Sequence, residues 1–178
     1  MKEEIIMAGF GGQGIMLIGK LLAHAGMKKG YQVSWMPSYG PEMRGGTANC
    51  MVKISSERIA SPFSSRADSM IIMNIPSLEK FESYLNPGGS IYLNSSLINK
   101  GLDREHIHGI QANQIARELG ESRAANMVML GAYIADHGFI NLDTIKDSLI
   151  EILPGRRHSL ISVNIEALEY GAALLQKV

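Results

Sequence analysis

Residues 4–15 read Glu4-Ile5-Ile6-Met7-Ala8-Gly9-Phe10-Gly11-Gly12-Gln13-Gly14-Ile15, and this stretch decides the fold. The apolar run Ile5-Ile6-Met7-Ala8 stops at Gly9, and Gly9, Gly11 and Gly14 then fall at G-x-G-x-x-G spacing. A helical pattern follows at once, with Ile15, Ile18, Leu22 and Ala25 on one stripe and Leu21 widening it. A buried strand that turns through glycines into a helix leaves the first N–H groups of that helix without partners. Those groups favour an anion, typically a phosphate. Glycine serves such a turn where a side chain would block backbone approach or where φ must be positive. The stretch therefore opens a Rossmann-like α/β domain, with Gly9, Gly11, Gly12, Gln13 and Gly14 as the candidate cofactor-binding residues. A tight strand–helix junction uses the same turn, so the motif sets the fold and leaves the ligand open.

A dinucleotide site adds an acidic residue roughly 20 residues further on, at the end of the second strand, to hold the ribose. The second apolar run, over 31–36, ends in Pro37-Ser38-Tyr39-Gly40 with no Asp or Glu before Glu42. That disfavours a simple NAD-linked dehydrogenase.

Downstream, the pattern predicts a first helix over 13–29 capped by Gly30, a strand over 31–36 and an irregular segment over 37–46. Residues 47–54 alternate, with Ala48, Cys50, Val52 and Ile54 on one strand face, and a short hairpin return is expected over 58–60. The continuous apolar run over 69–74 suits the middle of a parallel sheet. Pro76 starts a helix, Asn86-Pro87-Gly88-Gly89 makes a turn, and strands follow over 90–94 and near 106–110. Helices are expected over 113–119, 124–136, 142–153 and 163–176. No repeat, low-complexity tract or linker interrupts the chain. The expectation is one domain over 1–178, α/β and Rossmann-like, with a mostly parallel sheet, flanking helices and a helical C-terminal part.

The composition narrows the function. The chain has 178 residues, 46% of them hydrophobic and 19% charged, as in an ordinary globular α/β protein. Seventeen Lys and Arg balance 17 Asp and Glu, which argues against a nucleic-acid binder. A surface so near neutrality is poorly protected against association, which suggests that a partner covers part of it. The one cysteine, Cys50, cannot form an internal disulfide, hold an iron–sulfur cluster or build a Cys-based zinc site. It fits a cytoplasmic setting. No run approaches the roughly 20 apolar residues of a membrane span, and no signal peptide is expected before the first strand. Of the eleven methionines, Met7, Met70 and Met73 lie in strand-like runs and Met127 and Met129 in a helical one, so most are expected in the core.

The second informative stretch is Pro37-Ser38-Tyr39-Gly40-Pro41-Glu42-Met43-Arg44-Gly45-Gly46. Long irregular segments in small domains are usually functional. This one follows what is expected to be a parallel strand, at the carboxyl edge where α/β proteins place their sites. Two readings stand. Tyr39, Glu42, Arg44, Gly45 and Gly46 line a site or clamp a partner, with Arg44 pairing a carboxylate or phosphate, or Arg44 pairs with Glu42 or solvent in a wide crossover loop. Ser122 is a candidate helix cap and Asn126 a candidate site residue. Arg156-Arg157-His158 either meets an anionic ligand tail or lies in a solvated connection. His106 and His108 share strand spacing without a third ligand nearby, His24 and His137 read as structural, and Cys50 reads as a buried inert thiol. No Ser–His–Asp motif, metal cluster or acid pair is visible, so any catalysis is expected to involve a larger assembly.

The two glycine-bearing stretches, with Thr47-Ala48-Asn49-Cys50 after the second, closely resemble the gamma subunit of 2-oxoacid:ferredoxin oxidoreductases. Asn94-Ser95-Ser96 and the helix start Ala125-Asn126-Met127 fit the same pattern, and the resemblance spans nearly the whole chain. Residues 39–46 look most like the 2-oxoglutarate branch, with the branched-chain 2-oxoacid branch next. The resemblance implies a hetero-oligomer that decarboxylates a 2-oxoacid on thiamine diphosphate, passes electrons through iron–sulfur clusters to ferredoxin, and releases an acyl-CoA and carbon dioxide. It assigns thiamine mainly to alpha and beta subunits and the clusters to a ferredoxin-like delta subunit or to beta. The gamma subunit is Rossmann-like and is associated with coenzyme A binding. This chain is then expected to hold no cofactor alone and to be inactive in isolation. Gly9 to Gly14 would meet coenzyme A phosphate or a partner loop, and Glu42 and Arg44 would brace the interface near thiamine. The alternatives are a stand-alone anion- or nucleotide-binding module, or a subunit of the related indolepyruvate enzyme.

Overall fold

The apolar run before the glycines forms β1 (Lys2–Phe10), buried from Glu4 to Gly9 as befits a strand covered on both faces. The structure, a computed structural model, describes residues 1–38, 47–63 and 65–175, with Arg156 and Arg157 as backbone only. After the glycine turn comes α1 (Ile15–Lys28), whose stripe Ile15, Ile18, Leu21, Leu22 and Ala25 is buried. Each such Ile or Leu contributes about 1.5–3 kcal/mol on removal from water. Gly30 ends the helix at φ +81, where a Cβ is disfavoured.

β2 (Gln32–Ser38) runs two residues further than the pattern suggests and includes Pro37. It lies at the sheet edge, where a residue without an N–H is tolerated. The chain continues with β3 (Thr47–Ser55), β4 (Ala67–Ile72), α2 (Ile75–Phe81) and a 3₁₀ turn over Glu82–Tyr84. It ends with β5 (Leu85–Asn94), β6 (Ile107–Ile110), α3 (Ala112–Glu118), α4 (Ala125–His137), α5 (Leu142–Ile152), a 3₁₀ turn over Gly155–Leu160, and α6 (Ile161–Leu175).

The sheet order is β2-β3-β1-β4-β5-β6. β4 pairs parallel to β1, β5 to β4 and β6 to β5, while β3 pairs antiparallel to both β1 and β2. β2 therefore points along β1, and β3 alone runs against the others among the described strands. The sheet is mixed and still mostly unidirectional. One local expectation fails: residues 58–60 form no hairpin strand. Asn86 to Gly89 fall within β5, where the register with β4 jumps from Ala67 opposite Leu85 to Ser69 opposite Ser90 and Gly88 takes φ +80, so the expected turn is an irregularity inside one strand.

Alternate residues of β1 feed two cores. Ile5 and Met7 join α1 and the helices α3 to α6, in a cluster that includes Ile18, Leu22, Met127, Leu130 and Leu168. Ile6 and Ala8 join a smaller cluster with Met70, Ile72, Leu78, Phe81 and Leu93. So α1 and α2 lie on opposite faces, and the chain diverges after the adjacent strands β1 and β4. Crevices at such a switch point are where α/β sheets place ligands.

At the amino ends of the central strands a polar cluster is built from β1, β4 and α4. Ser69 Oγ donates to Glu3 Oε1 at 2.6 Å, and Tyr133 OH reaches the same oxygen at 3.5 Å. His137 Nε2 lies 3.1 Å from Ser69 Oγ. Nearby, Tyr92 OH donates to Asp136 at 2.5 Å and stacks on His108 at 5.0 Å. His24 contacts Ser148 Oγ at 3.1 Å. The histidines singled out as structural thus pack within the fold.

Burial pushes the Glu3 carboxyl above its usual range, against the lowering effect of the Ser69 hydroxyl. A raised folded-state pKa contributes stability at low pH, and that contribution is lost as pH rises through the folded value. Glu3→Gln keeps an acceptor for Ser69 and removes the titration. The variant is expected to match the wild type in acid and exceed it at neutral pH. Denaturant titrations of both proteins across that range test this, and a constant difference would show that Glu3 does not titrate with folding.

Candidate functional site

The glycine turn lies at the carboxyl ends of β1 and β4, at the switch point. Its four glycines meet different surroundings. Gly9 is buried, and a Cβ there would come within 2.7 Å of Gln13 Oε1 and 2.9 Å of Met73 Cβ. Gly12 has φ +94 and open space around its missing side chain. Gly14 has φ +74, and a Cβ there would strike the Asn126 carboxamide, with Cγ at 2.9 Å. Gly11 is exposed.

Gln13 points inward. Its Oε1 accepts from Phe10 N–H at 2.6 Å and from Asn74 Nδ2 at 3.2 Å, and its Nε2 donates to Met73 O at 3.5 Å. One side chain thereby ties the end of β1 to the end of β4. Asn74 also caps α2 by accepting from Ser77 N–H at 2.9 Å. Asn74 was not among the expected site residues; an Asn immediately before Ile75-Pro76 is the signal that marks it.

α1 begins at Gly14 without a side-chain cap and without an acidic residue in its first turn, which leaves its positive end to other partners. Asn126, at the start of α4 and only 3% exposed, donates from Nδ2 to Gly14 O at 3.2 Å and accepts from Met127 N–H at 3.0 Å. The expected site residue is thus a clasp between α4 and the turn. Ser122 does not cap α4, which has no side-chain cap; it lies in a 3₁₀ turn over Ser122–Ala124 that Glu121 caps by accepting from Arg123 N–H at 3.1 Å.

Outside the turn, a cleft of about 210 Å³ is lined by Gly12, Gly14, Glu121, Arg123, Asn126 and Asn164 among others. Arg123 is its exposed cation. It engages Glu121 in a bidentate pair, Nε at 2.9 Å and Nη2 at 3.0 Å, which holds the Glu121 carboxyl down at about 2. An anion entering the cleft competes with Glu121 for that guanidinium.

Tyr39, Glu42, Arg44, Gly45 and Gly46 lie outside the described residues. Their flanks are placed: β2 ends at Ser38 opposite Asn49, and β3 begins at Thr47 opposite Phe10. The segment is therefore the connection between two antiparallel strands, not a crossover, and it joins β3 beside the glycine turn. Cys50 is fully buried in β3 facing α1, and burial pushes its thiol up to about 12. Among the described residues, no three His, Cys, Asp or Glu side chains are grouped to hold a metal ion, and no helix is long and apolar enough to cross a membrane.

Residues 4–174, the whole span from β1 to α6, match the family described as pyruvate ferredoxin/flavodoxin oxidoreductase. The chain belongs to this family. Ketoisovalerate oxidoreductase subunit VorA of Methanothermobacter thermautotrophicus is 39% identical to it over 95% of this chain and 35% of its own. The chain thus spans just over a third of that relative's length. The 2-oxoglutarate synthase subunit KorC of Methanothermobacter marburgensis is 28% identical over 99% of this chain and 98% of its own. Among solved structures, the gamma subunit of a keto/oxoacid ferredoxin oxidoreductase from Geobacter sulfurreducens superposes with a TM-score of 0.83 at 25% identity, covering 97% of this chain and 95% of that one. The 2-oxoglutarate:ferredoxin oxidoreductase of Magnetococcus marinus, solved with 2-oxoglutarate, coenzyme A and succinyl-CoA bound, also gives 0.83, at 27% identity over 98% of this chain and 31% of its own. The mixed sheet with its helical C-terminal part is the fold of the Geobacter sulfurreducens gamma subunit.

Proposed function

We propose that this chain is the gamma-type subunit of a 2-oxoacid:ferredoxin oxidoreductase, acting with alpha, beta and delta-type partners that hold thiamine diphosphate and the iron–sulfur clusters. The observation that carries this reading is the near end-to-end correspondence with a gamma subunit from Geobacter sulfurreducens, 97% of one chain on 95% of the other. The higher identity to a ketoisovalerate subunit, 39% against 28% to a 2-oxoglutarate subunit, supports proposing a branched-chain 2-oxoacid ahead of 2-oxoglutarate. That reverses the order suggested by residues 39–46.

The residues do not fit an iron–sulfur cluster, which takes several thiolates. Cys50 is the one cysteine, and it is buried with its proton held tightly. They do fit an anionic group of coenzyme A on the outer side of the turn. Gly12 leaves the backbone open there and Arg123 stands across the cleft. In this reading coenzyme A supplies the thiol that accepts the acyl group, and this chain positions its charged end.

The test is reconstitution. The chain alone is expected to fold and to show no turnover. With its partner subunits it is expected to support coenzyme A-dependent reduction of ferredoxin, faster with ketoisovalerate than with 2-oxoglutarate. Turnover of a 2-oxoacid by the chain alone would refute the reading, as would purification from its native cells without a thiamine-binding partner.

A further inference from the structure

Ile5 and Met7 of β1 join the α1 core, as do Val52 and Ile54 of β3, so Glu4 and Lys53 point to the opposite face of the sheet. On that face, at the amino end of β1, a cavity of about 450 Å³ is lined by Lys2, Glu4, Lys53, Ser55 and residues 57–61. The segment expected as a hairpin return over 58–60 is one of its walls. Its floor is buried: Lys53 is 7% exposed and Glu4 9%. Lys53 Nζ donates to Phe63 O at 2.6 Å and pairs with Glu4 at 3.5 Å, while Lys2 pairs with the same carboxylate at 2.6 Å. Two ammonium groups thus share one carboxylate. Arg58, on the wall, makes no hydrogen bond or ion pair with the described residues. The lining side chains carry three positive charges, Lys2, Lys53 and Arg58, against two negative ones, Glu4 and Glu57. Behind the floor, Asp68 accepts from Glu4 N–H at 3.0 Å and Arg66 flanks Lys53, one charge of each sign. In a chain of zero net charge the cavity is a local positive excess.

We propose that this cavity binds a small organic dianion, a dicarboxylate or a phosphate ester, between Arg58 and Lys2. A guanidinium offers paired N–H donors that match a carboxylate or a phosphate. Arg58 brings them without breaking an existing pair, unlike Arg123, which is engaged with Glu121. Lys2, with its side chain 68% exposed, is free to turn to a ligand because Lys53 keeps Glu4 paired. Ile59 and Ala60 offer the ligand's carbon skeleton an apolar wall. The site is separate from the cleft beside the glycine turn. Lys2 and Phe10 are the two ends of β1, about 26 Å apart at about 3.3 Å per residue. The proposal goes beyond the proposed function and does not depend on it, because it concerns the opposite end of the sheet.

The experiment is calorimetry on the full chain at low ionic strength, where exposed charges are least screened, with malonate as the dicarboxylate and glycerol 3-phosphate as the phosphate ester. At least one of them is expected to bind one-to-one with a Kd below about 1 mM, and the tighter of the two assigns the ligand's class. Arg58→Ala should weaken that binding at least about tenfold. Glu57→Gln removes an opposing charge and should tighten it about twofold or more. Both side chains are exposed and unpaired among the described residues, so both variants should melt with the wild type, and a changed affinity is then not a loss of fold. Arg123→Ala removes the cation of the cleft beside the glycine turn and should leave the affinity unchanged. The proposal is overturned if neither probe binds the wild type below about 1 mM, if Arg58→Ala binds as tightly as the wild type, if Glu57→Gln fails to tighten binding, or if Arg123→Ala abolishes it.

Discussion

Gly131→Ala and Gly171→Ala are each expected to destabilise the protein by at least about 2 kcal/mol, although alanine is the better helix former. The two glycines are where α4 and α6 cross. A Cβ on Gly131 would run into the backbone of α6, onto Leu168 O with Leu168 C at 2.9 Å and Ala172 N at 3.0 Å. A Cβ on Gly171 would run into the backbone of α4, onto Val128 O with Val128 C at 2.7 Å. A side chain can rotate away from an intruding methyl, but a helix backbone cannot. Helix propensity favours alanine by only about 1 kcal/mol. Overpacking typically costs about 1–3 kcal/mol and more when the obstacle is rigid, so the clash wins. For a chain of this size each kcal/mol shifts the melting temperature by about 2–4 °C, so losses of at least 4 °C are expected. The double variant should lose less than the sum, because helices parted by one methyl admit the second more easily. Gly155→Ala is the control: its Cβ would meet nothing within 4 Å, and its melt should be unchanged. Equal melts for Gly131→Ala and the control would mean that the helices do not cross this closely.

The elements that local pattern could specify were legible. The run Ile5 to Ala8, the helical stripe from Ile15, the alternation from Ala48 to Ile54 and the cap at Gly30 each depend on near neighbours, and all four stand in the structure. The direction of β3 was not legible. Residues 37–46 hold two prolines and three glycines, a content that suits a hairpin connection as well as a crossover. Nothing local says that Thr47 pairs with Phe10. The buried polar face of β3 was hidden for the same reason. Lys53 is covered because its ammonium reaches Phe63 O at 2.6 Å and Glu4 at 3.5 Å, partners from elsewhere in the chain.

The site divides the same way. The spacing of Gly9, Gly11 and Gly14 located the turn, but not the direction of Gln13. That direction is set by Asn74, sixty-one residues away, and by Met73 O. Gly14 was read as one of the turn's candidate cofactor-binding residues. Its missing side chain instead faces Asn126 of α4, a contact across 112 residues that no helical period encodes.

Gly14→Val tests that contact and should be among the most damaging single changes in the turn. At φ +74 a β-branched residue is a steric outlier, and the left-handed conformation alone costs an ordinary residue about 1–2 kcal/mol. The new Cβ would also strike the Asn126 carboxamide, which cannot swing aside freely. It is 3% exposed and holds Gly14 O through Nδ2 at 3.2 Å. With about 1–3 kcal/mol for overpacking, the total loss is expected to be about 3 kcal/mol or more. The melting temperature should fall by about 6 °C or more. The two contributions separate in a double-mutant cycle with Asn126→Ala. Removing the carboxamide relieves the clash and leaves the backbone penalty, so Gly14→Ala should cost less in the Asn126→Ala background than in the wild type. Strict additivity would show that Gly14 is glycine for its φ alone. Under the proposed function, the complex reconstituted with its partner subunits supplies a second readout. A turn unclasped from α4 no longer holds the outer cleft, whose walls Gly14, Asn126 and Arg123 share. Coenzyme A-dependent turnover should therefore fall in Asn126→Ala even at temperatures where the variant is fully folded. Turnover equal to the wild type there would confine the clasp to stability.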